Sequence, residues 1–224
     1  MDILDFTQYF VRIAIVFLIL PIHEFAHAWA AHKLGDDTAH YKGRLTLNPI
    51  AHIDILGAAL LVFTGFGWAK PVPINPLRFK KRRKGIALTA LAGPLSNIIV
   101  AFIAMIIYRF SATTDFFQNS YIAYANGESN TFIIFYIIQF FIMINIGLAV
   151  FNLIPVPPLD GSKILSYFTS YKFDRMIEQY QMYIFIGLIV LINTPILGYP
   201  LSLIQNLIYN LMLNATDWIP VLIK

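Results

Sequence analysis

The 224-residue chain contains no cysteine and only three glutamates, Glu24, Glu128 and Glu178. Without cysteine there are no disulfides, no thiolate metal ligands and no cysteine nucleophile. Charge is scarce too: Asp, Glu, Lys and Arg make up 12% of the residues, against roughly 25% in an ordinary soluble domain. That supply covers a globular core only thinly. Apolar residues dominate instead, at 58%, which points to lipid as the main solvent. The net charge of +4 does not indicate nucleic acid. Seven of the 16 Lys and Arg residues lie between Lys70 and Lys84, beside long apolar runs, the pattern of a cytoplasmic membrane loop.

Charge-free runs locate the candidate spans, because an ionised side chain at bilayer depth costs several kcal/mol and a spanning helix needs about 20 apolar residues. The first run follows Arg12 to about Ala31 and holds three polar exceptions, His23, Glu24 and His27. The second, between Asp54 and Lys70, has 15 residues with glycines at 57, 65 and 67; it is short for a span and reads as a short helix or a re-entrant element. Ile86–Tyr108 is a full span. The fourth run, between Glu128 and Asp160, should leave helix where Pro155, Pro157 and Pro158 stand. The last, between Glu178 and Asp217, holds 38 uncharged residues interrupted by Asn193-Thr-Pro195 and Gly198-Tyr-Pro200. As one helix it would be about 57 Å long, so it reads as two pieces.

The first run has Asp2 and Asp5 rather than a basic start, and no small-x-small cleavage site precedes its histidines; a retained helix is expected, not a signal peptide. Orientation follows from the loops. The basic loop 70–84 should be cytoplasmic, Ser111–Asn130 with Asp115, Glu128 and no Lys or Arg should face outward, and the segment after Asp160 with Lys163, Lys172 and Arg175 should return to the cytoplasm. The expected fold is an all-α polytopic membrane protein. It comprises a bundle of about five to six transmembrane or re-entrant helices with a small β/loop element near the cytoplasmic interface. The chain reads as one domain over 1–224, with a catalytic core at about 10–170 and a C-terminal helical segment at about 178–216.

Within the first run the sequence reads His23-Glu24-Phe-Ala-His27. On a helix His23 and His27 share one face, so both imidazoles can bind one Zn²⁺, and Glu24 can reach a metal-bound water as general base. Histidines lining a polar cavity are the competing reading, and three ionisable groups in one span weigh against it. A catalytic zinc takes three protein ligands and a water. The metzincin continuation fails, since Ala30 and Lys33 stand where Gly and His are needed. A thermolysin-like glutamate is missing as well, because the next glutamate is Glu128 in the outer loop. His32 points off the ligand face. His40, His52, Asp36, Asp37 and Asp54 remain open as ligands. The strongest candidate is Asp160, in Asn152-Leu-Ile-Pro155-Val-Pro157-Pro158-Leu-Asp160-Gly161, because irregular backbone at membrane depth lines a cavity or a site. An N-cap for a helix starting near Ser162 is its alternative role.

These residues resemble the site-2 protease family of intramembrane zinc metalloproteases (peptidase family M50), in its compact prokaryotic form. The matching stretches are HEFAHAWAAHKLGD (23–36), GRLTLNPIAHID (43–54), GWAKPVPINP (67–76), LAGPLSNIIVA (91–101) and FNLIPVPPLDG (151–161). The resemblance implies one Zn²⁺ per chain held by His23, His27 and Asp160, with Glu24 activating its water. It also implies Asn152 beside the scissile bond, positioning substrate or stabilising the oxyanion, with a helix-breaking role as the competitor. Asn97 and His52 are weaker candidates for supporting the site, and plain inter-helix hydrogen bonding explains them equally well. The implied substrates are membrane-spanning proteins cut within the bilayer of the cell. Relatives that carry a PDZ or CBS domain set a further expectation, that this chain has neither. Two rival functions are a membrane metal-binding or transport protein and an inactive protease relative. The Ile55–Ala69 segment with Trp68 and Pro71-Val-Pro73 is expected to clamp an extended substrate, or else to stabilise the interface.

Overall fold

The computed structural model describes residues 12–64, 67–128, 130–192 and 194–222. Asp2, Asp5, Gly65 and Asn193 lie outside the described residues. Helix α1 covers Arg12–Lys33, with a π-helical stretch at Ile15–Ile19. The wide turn lies just before Pro21, whose ring and missing N–H disturb the regular ladder. Short helices α2 (Thr38–Tyr41) and α3 (Pro49–His52) follow, then α4 (Ile55–Thr64). Next come α5 (Arg82–Ser111), α6 (Asp115–Ala125), α7 (Ile133–Asn152) and α8 (Asp160–Leu165). The chain finishes with α9 (Tyr171–Gln179), α10 (Gln181–Ile192), α11 (Pro195–Ala215) and α12 (Ile219–Leu222).

Four helices, α1, α5, α7 and α11, are long and apolar enough to cross a membrane; α9 and α10, bent by 69°, make a fifth if taken as one broken span. The long last run is thus divided into α10 and α11, as its Thr194-Pro195 step requires. Helix α7 ends at Asn152, just before the proline-rich stretch. No strand forms among the described residues: the expected β/loop element is loop, an extended strap over residues 67–75. Proline at 71 and 73 removes the N–H donors that a ladder needs.

Helix α4 has 10 residues, about 15 Å at 1.5 Å per residue, half of a hydrocarbon core. The chain then doubles back, so that a Cβ on Gly57 would lie 2.2 Å from the Trp68 carbonyl, and one on Gly67 would lie 2.1 Å from the Gly57 carbonyl. The start of α4 and residues 67–68 therefore sit side by side. Arg12 donates to the Val62 carbonyl at 2.8 Å, satisfying an acceptor in the last turn of α4.

Helix α5 is the central element and packs against α7, α1 and α8. Its contact with α7 forms the core: Ala101, Ala104 and Met105 face Ile142, Ile146 and Val150, joined by Met212 of α11. Small residues on α5 let the helices approach closely, which matters where lipid supplies no hydrophobic drive for association.

Candidate metal centre

His23 and His27 lie one turn apart on α1, both buried, with their Nε2 atoms 3.0 Å apart. Asp160, 137 residues downstream of His23 and also buried, opens α8. Its Oδ2 lies 3.2 Å from His23 Nε2 and 3.0 Å from His27 Nε2. The carboxylate does not cap its helix; Leu159 occupies the N-cap position. A Cβ on Gly161 would lie 2.3 Å from the Leu153 carbonyl, so glycine is what lets α8 start tight against the end of α7.

Whether these residues suit zinc follows from their own chemistry. His27 Nδ1 is 2.7 Å from the Thr89 carbonyl. A carbonyl only accepts, so Nδ1 carries the hydrogen and Nε2 presents its lone pair. His27 Nε2 and the Asp160 carboxylate are therefore both acceptors although only 3.0 Å apart, with His23 Nε2 at 3.0–3.2 Å from each, an arrangement that a shared cation relieves. Ligands about 2.0–2.2 Å from a tetrahedral zinc stand roughly 3.3–3.6 Å from one another, so the cluster needs to open by only a few tenths of an ångström to hold one such ion. Among the described residues it is the one group of three or more ligands so arranged. Helix α5 makes room for it: a Cβ on Gly93 would lie 2.5 Å from His27 Nε2 and 2.6 Å from His23 Cε1.

A cavity of about 770 Å³ opens beside the cluster, lined among others by Glu24, Trp68, Val72, Asn152 and Lys163. Glu24 Oε2 accepts the Val72 N–H at 3.1 Å. Asn152 donates through Nδ2 to the Leu148 carbonyl at 3.0 Å, so part of its amide serves the end of α7. Lys163 Nζ lies 3.2 Å from Asp160 Oδ1, the oxygen turned away from the histidines. Sequence reasoning missed Lys163, although its i,i+3 spacing from Asp160 marked it. The Thr89 carbonyl had no side-chain signal to find it by.

The other residues considered as ligands are engaged elsewhere. His32 Nδ1 pairs with Asp37 Oδ1 at 2.5 Å, and the His40 ring lies 5.8 Å from that of His32. Asp36 accepts from Thr38 and from the Asn75 N–H. Asp54 Oδ1 accepts the Gly57 N–H at 2.9 Å and starts α4. His52 Nε2 donates to the Thr46 carbonyl at 2.7 Å, and its Nδ1 lies 3.5 Å from Arg44 Nη2, so it braces the strap rather than the ligands. Asn97 is buried in α5 one turn beyond Gly93, and its amide atoms have no hydrogen-bond partner among the described residues. Burial lowers the Arg44 pKa from the ordinary arginine value, while the negative charge of Glu24 opposes that shift.

Residues 11–192 match the model of Peptidase family M50. Three similar proteins are named "Putative zinc metalloprotease". YwhC of Bacillus subtilis is 41% identical over 80% of this chain and 78% of its own length. Rip2 of Mycolicibacterium smegmatis is 28% identical over 80% and 65%, and MJ0611 of Methanocaldococcus jannaschii is 28% identical over 65% and 63%. No solved structure matches the chain.

Proposed function

The chain belongs to peptidase family M50, and from that premise we propose that it is an intramembrane zinc metalloprotease of the site-2 type, hydrolysing peptide bonds within or near transmembrane segments of other membrane proteins. The observation that carries this reading is the convergence of His23, His27 and Asp160 at 3.0–3.2 Å beside Glu24, on a helix long and apolar enough to span. Zinc held by those three side chains would supply an acidified water and polarise the scissile carbonyl.

Glu24 takes the proton of the attacking water and delivers it to the leaving amine. Asn152, on the cavity wall, turns its amide toward the peptide carbonyl as charge develops there. The strap 67–75 holds the substrate in extended form, since an internally hydrogen-bonded helix hides its peptide bonds. Replacing Pro71 and Pro73 should then impair cleavage and leave zinc content intact; undiminished cleavage refutes the clamp.

The bundle resides in the cell membrane with loop 70–84 in the cytoplasm. With segment 55–69 taken as re-entrant, the Lys33 end of α1 lies on that same side and its Arg12 end on the other. A transport path would call for further ligands along its length, and among the described residues there is one cluster. The deciding experiment compares purified wild type with Glu24→Gln on a transmembrane peptide, with zinc measured in both. Zinc in both and cleavage only by wild type is expected; equal cleavage would overturn the mechanism.

A further inference from the structure

The strap is fastened by four hydrogen bonds, two to helices α1 and α3 and two to the loops between them. At its start the Lys70 N–H donates to the His52 carbonyl at 2.9 Å, and the Lys70 carbonyl accepts from Arg44 Nη2 at 2.6 Å. At its end the Asn75 N–H donates to Asp36 Oδ2 at 2.6 Å. Between them the Val72 N–H meets Glu24 Oε2 at 3.1 Å. Arg44 and Asp36 are buried at 7% and 0% exposure. A buried charge is costly unless hydrogen bonds compensate it, and here backbone groups of the strap supply that compensation.

The residues Pro71-Val72-Pro73 make the middle contact selective. Proline has no N–H, so Val72 is the one backbone donor between Lys70 and Ile74. In extended chain, residues two apart face the same side. Val72 therefore faces the side on which Lys70 is anchored, where its N–H meets Glu24 of α1, and the fixed φ of the flanking prolines limits how far it can swivel.

We propose that Arg44 and Asp36 are positioning residues for the general base: through the strap they hold the Val72 N–H on one oxygen of Glu24 and leave the other to take the proton. The inference rests on the assignment of Glu24 above. A free glutamate side chain has three rotatable bonds, and a misplacement of about 1 Å can cost roughly 10²-fold in rate. The strap removes that freedom through a backbone N–H.

The direct test is Val72→Pro, which deletes the donor and keeps an extended backbone, with Val72→Ala as control. Asp36→Ala is compared with Asp36→Asn, which keeps an acceptor oxygen. Kinetics on a transmembrane peptide, zinc content and amide-resolved hydrogen exchange over 67–79 are measured for each. Val72→Pro and Asp36→Ala should lower kcat 10–100-fold with zinc retained, while Asp36→Asn and Val72→Ala, which keeps the N–H, hold kcat within about threefold of wild type even where the lost side-chain contact of Val72→Ala raises KM. The Val72 amide should exchange faster in Asp36→Ala, Arg44→Lys and Glu24→Ala. A raised KM with unchanged kcat in Val72→Pro would make the strap a substrate contact only and overturn the proposal. If wild type cleaves no peptide, the functional reading falls, and exchange decides alone: Val72 protection that ignores Glu24, Asp36 and Arg44 refutes the positioning.

Discussion

Gly93 shows how far the metal centre depends on a residue that offers it no ligand. A methyl group there would lie 2.5 Å from His27 Nε2, closer than side chains tolerate, and imidazoles on α1 have little freedom to retreat. Gly93→Ala should therefore weaken zinc binding about 10–100-fold, as loss of supporting contacts around metal ligands does. The added methyl should leave helicity intact, alanine being the better helix former. Competition with a zinc chelator, alongside circular dichroism, checks both halves. Asn152 separates differently. If it stabilises the developing oxyanion, Asn152→Ala should lower kcat about 10²–10³-fold with zinc content unchanged. Loss of zinc or of thermal stability would instead assign it to the end of α7, where Nδ2 already donates to Leu148.

At the scale of elements, α9 is fastened to the start of α5 by one side chain. Arg83 donates to the Thr169 carbonyl and to Asp174, and its guanidinium lies 4.4 Å over the Tyr171 ring. Charge-assisted hydrogen bonds of this kind contribute about 1–3 kcal/mol. Arg83→Ala should destabilise the fold by an amount in that range, read as a lowered thermal midpoint, while zinc stays bound, because α8 packs on α5 separately. The short helix α4 illustrates where sequence reasoning stopped. Its length left a short helix and a re-entrant element equally open, and only the approach of Gly57 to Trp68 brings the chain back to its own start.

For the molecule as a whole, the proposed re-entrant course of segment 55–69 sets how many times the chain would cross before the basic loop. Absence of cysteine makes the arrangement directly measurable, since a single introduced cysteine is the only thiol. Lys80→Cys should react with an impermeant maleimide from the cytoplasmic side alone, and Glu128→Cys from the opposite side alone. Labelling of both from one side would reverse the orientation or the count of crossings. Removing zinc with a chelator should abolish cleavage, and restoring zinc should recover it in wild type but not in Asp160→Ala.

Sequence alone identified the lipid environment, the spans and the pair His23 and His27 with Glu24 between them, because hydropathy and helical spacing are local properties of a chain. It placed Asp160 at the head of the possible third ligands but left Asp36, Asp37, Asp54, His40 and His52 beside it. Tertiary structure brings Asp160 to the two histidines and gives each of the others a different engagement: Asp36 on Asn75, Asp37 on His32, Asp54 on Gly57, His40 against His32, His52 on Thr46. The strap's hold on Glu24 was out of reach for the same reason. A backbone N–H leaves no mark in a residue pattern, and what it meets 48 positions away is determined only when α1, segment 55–69 and the loop before it pack together.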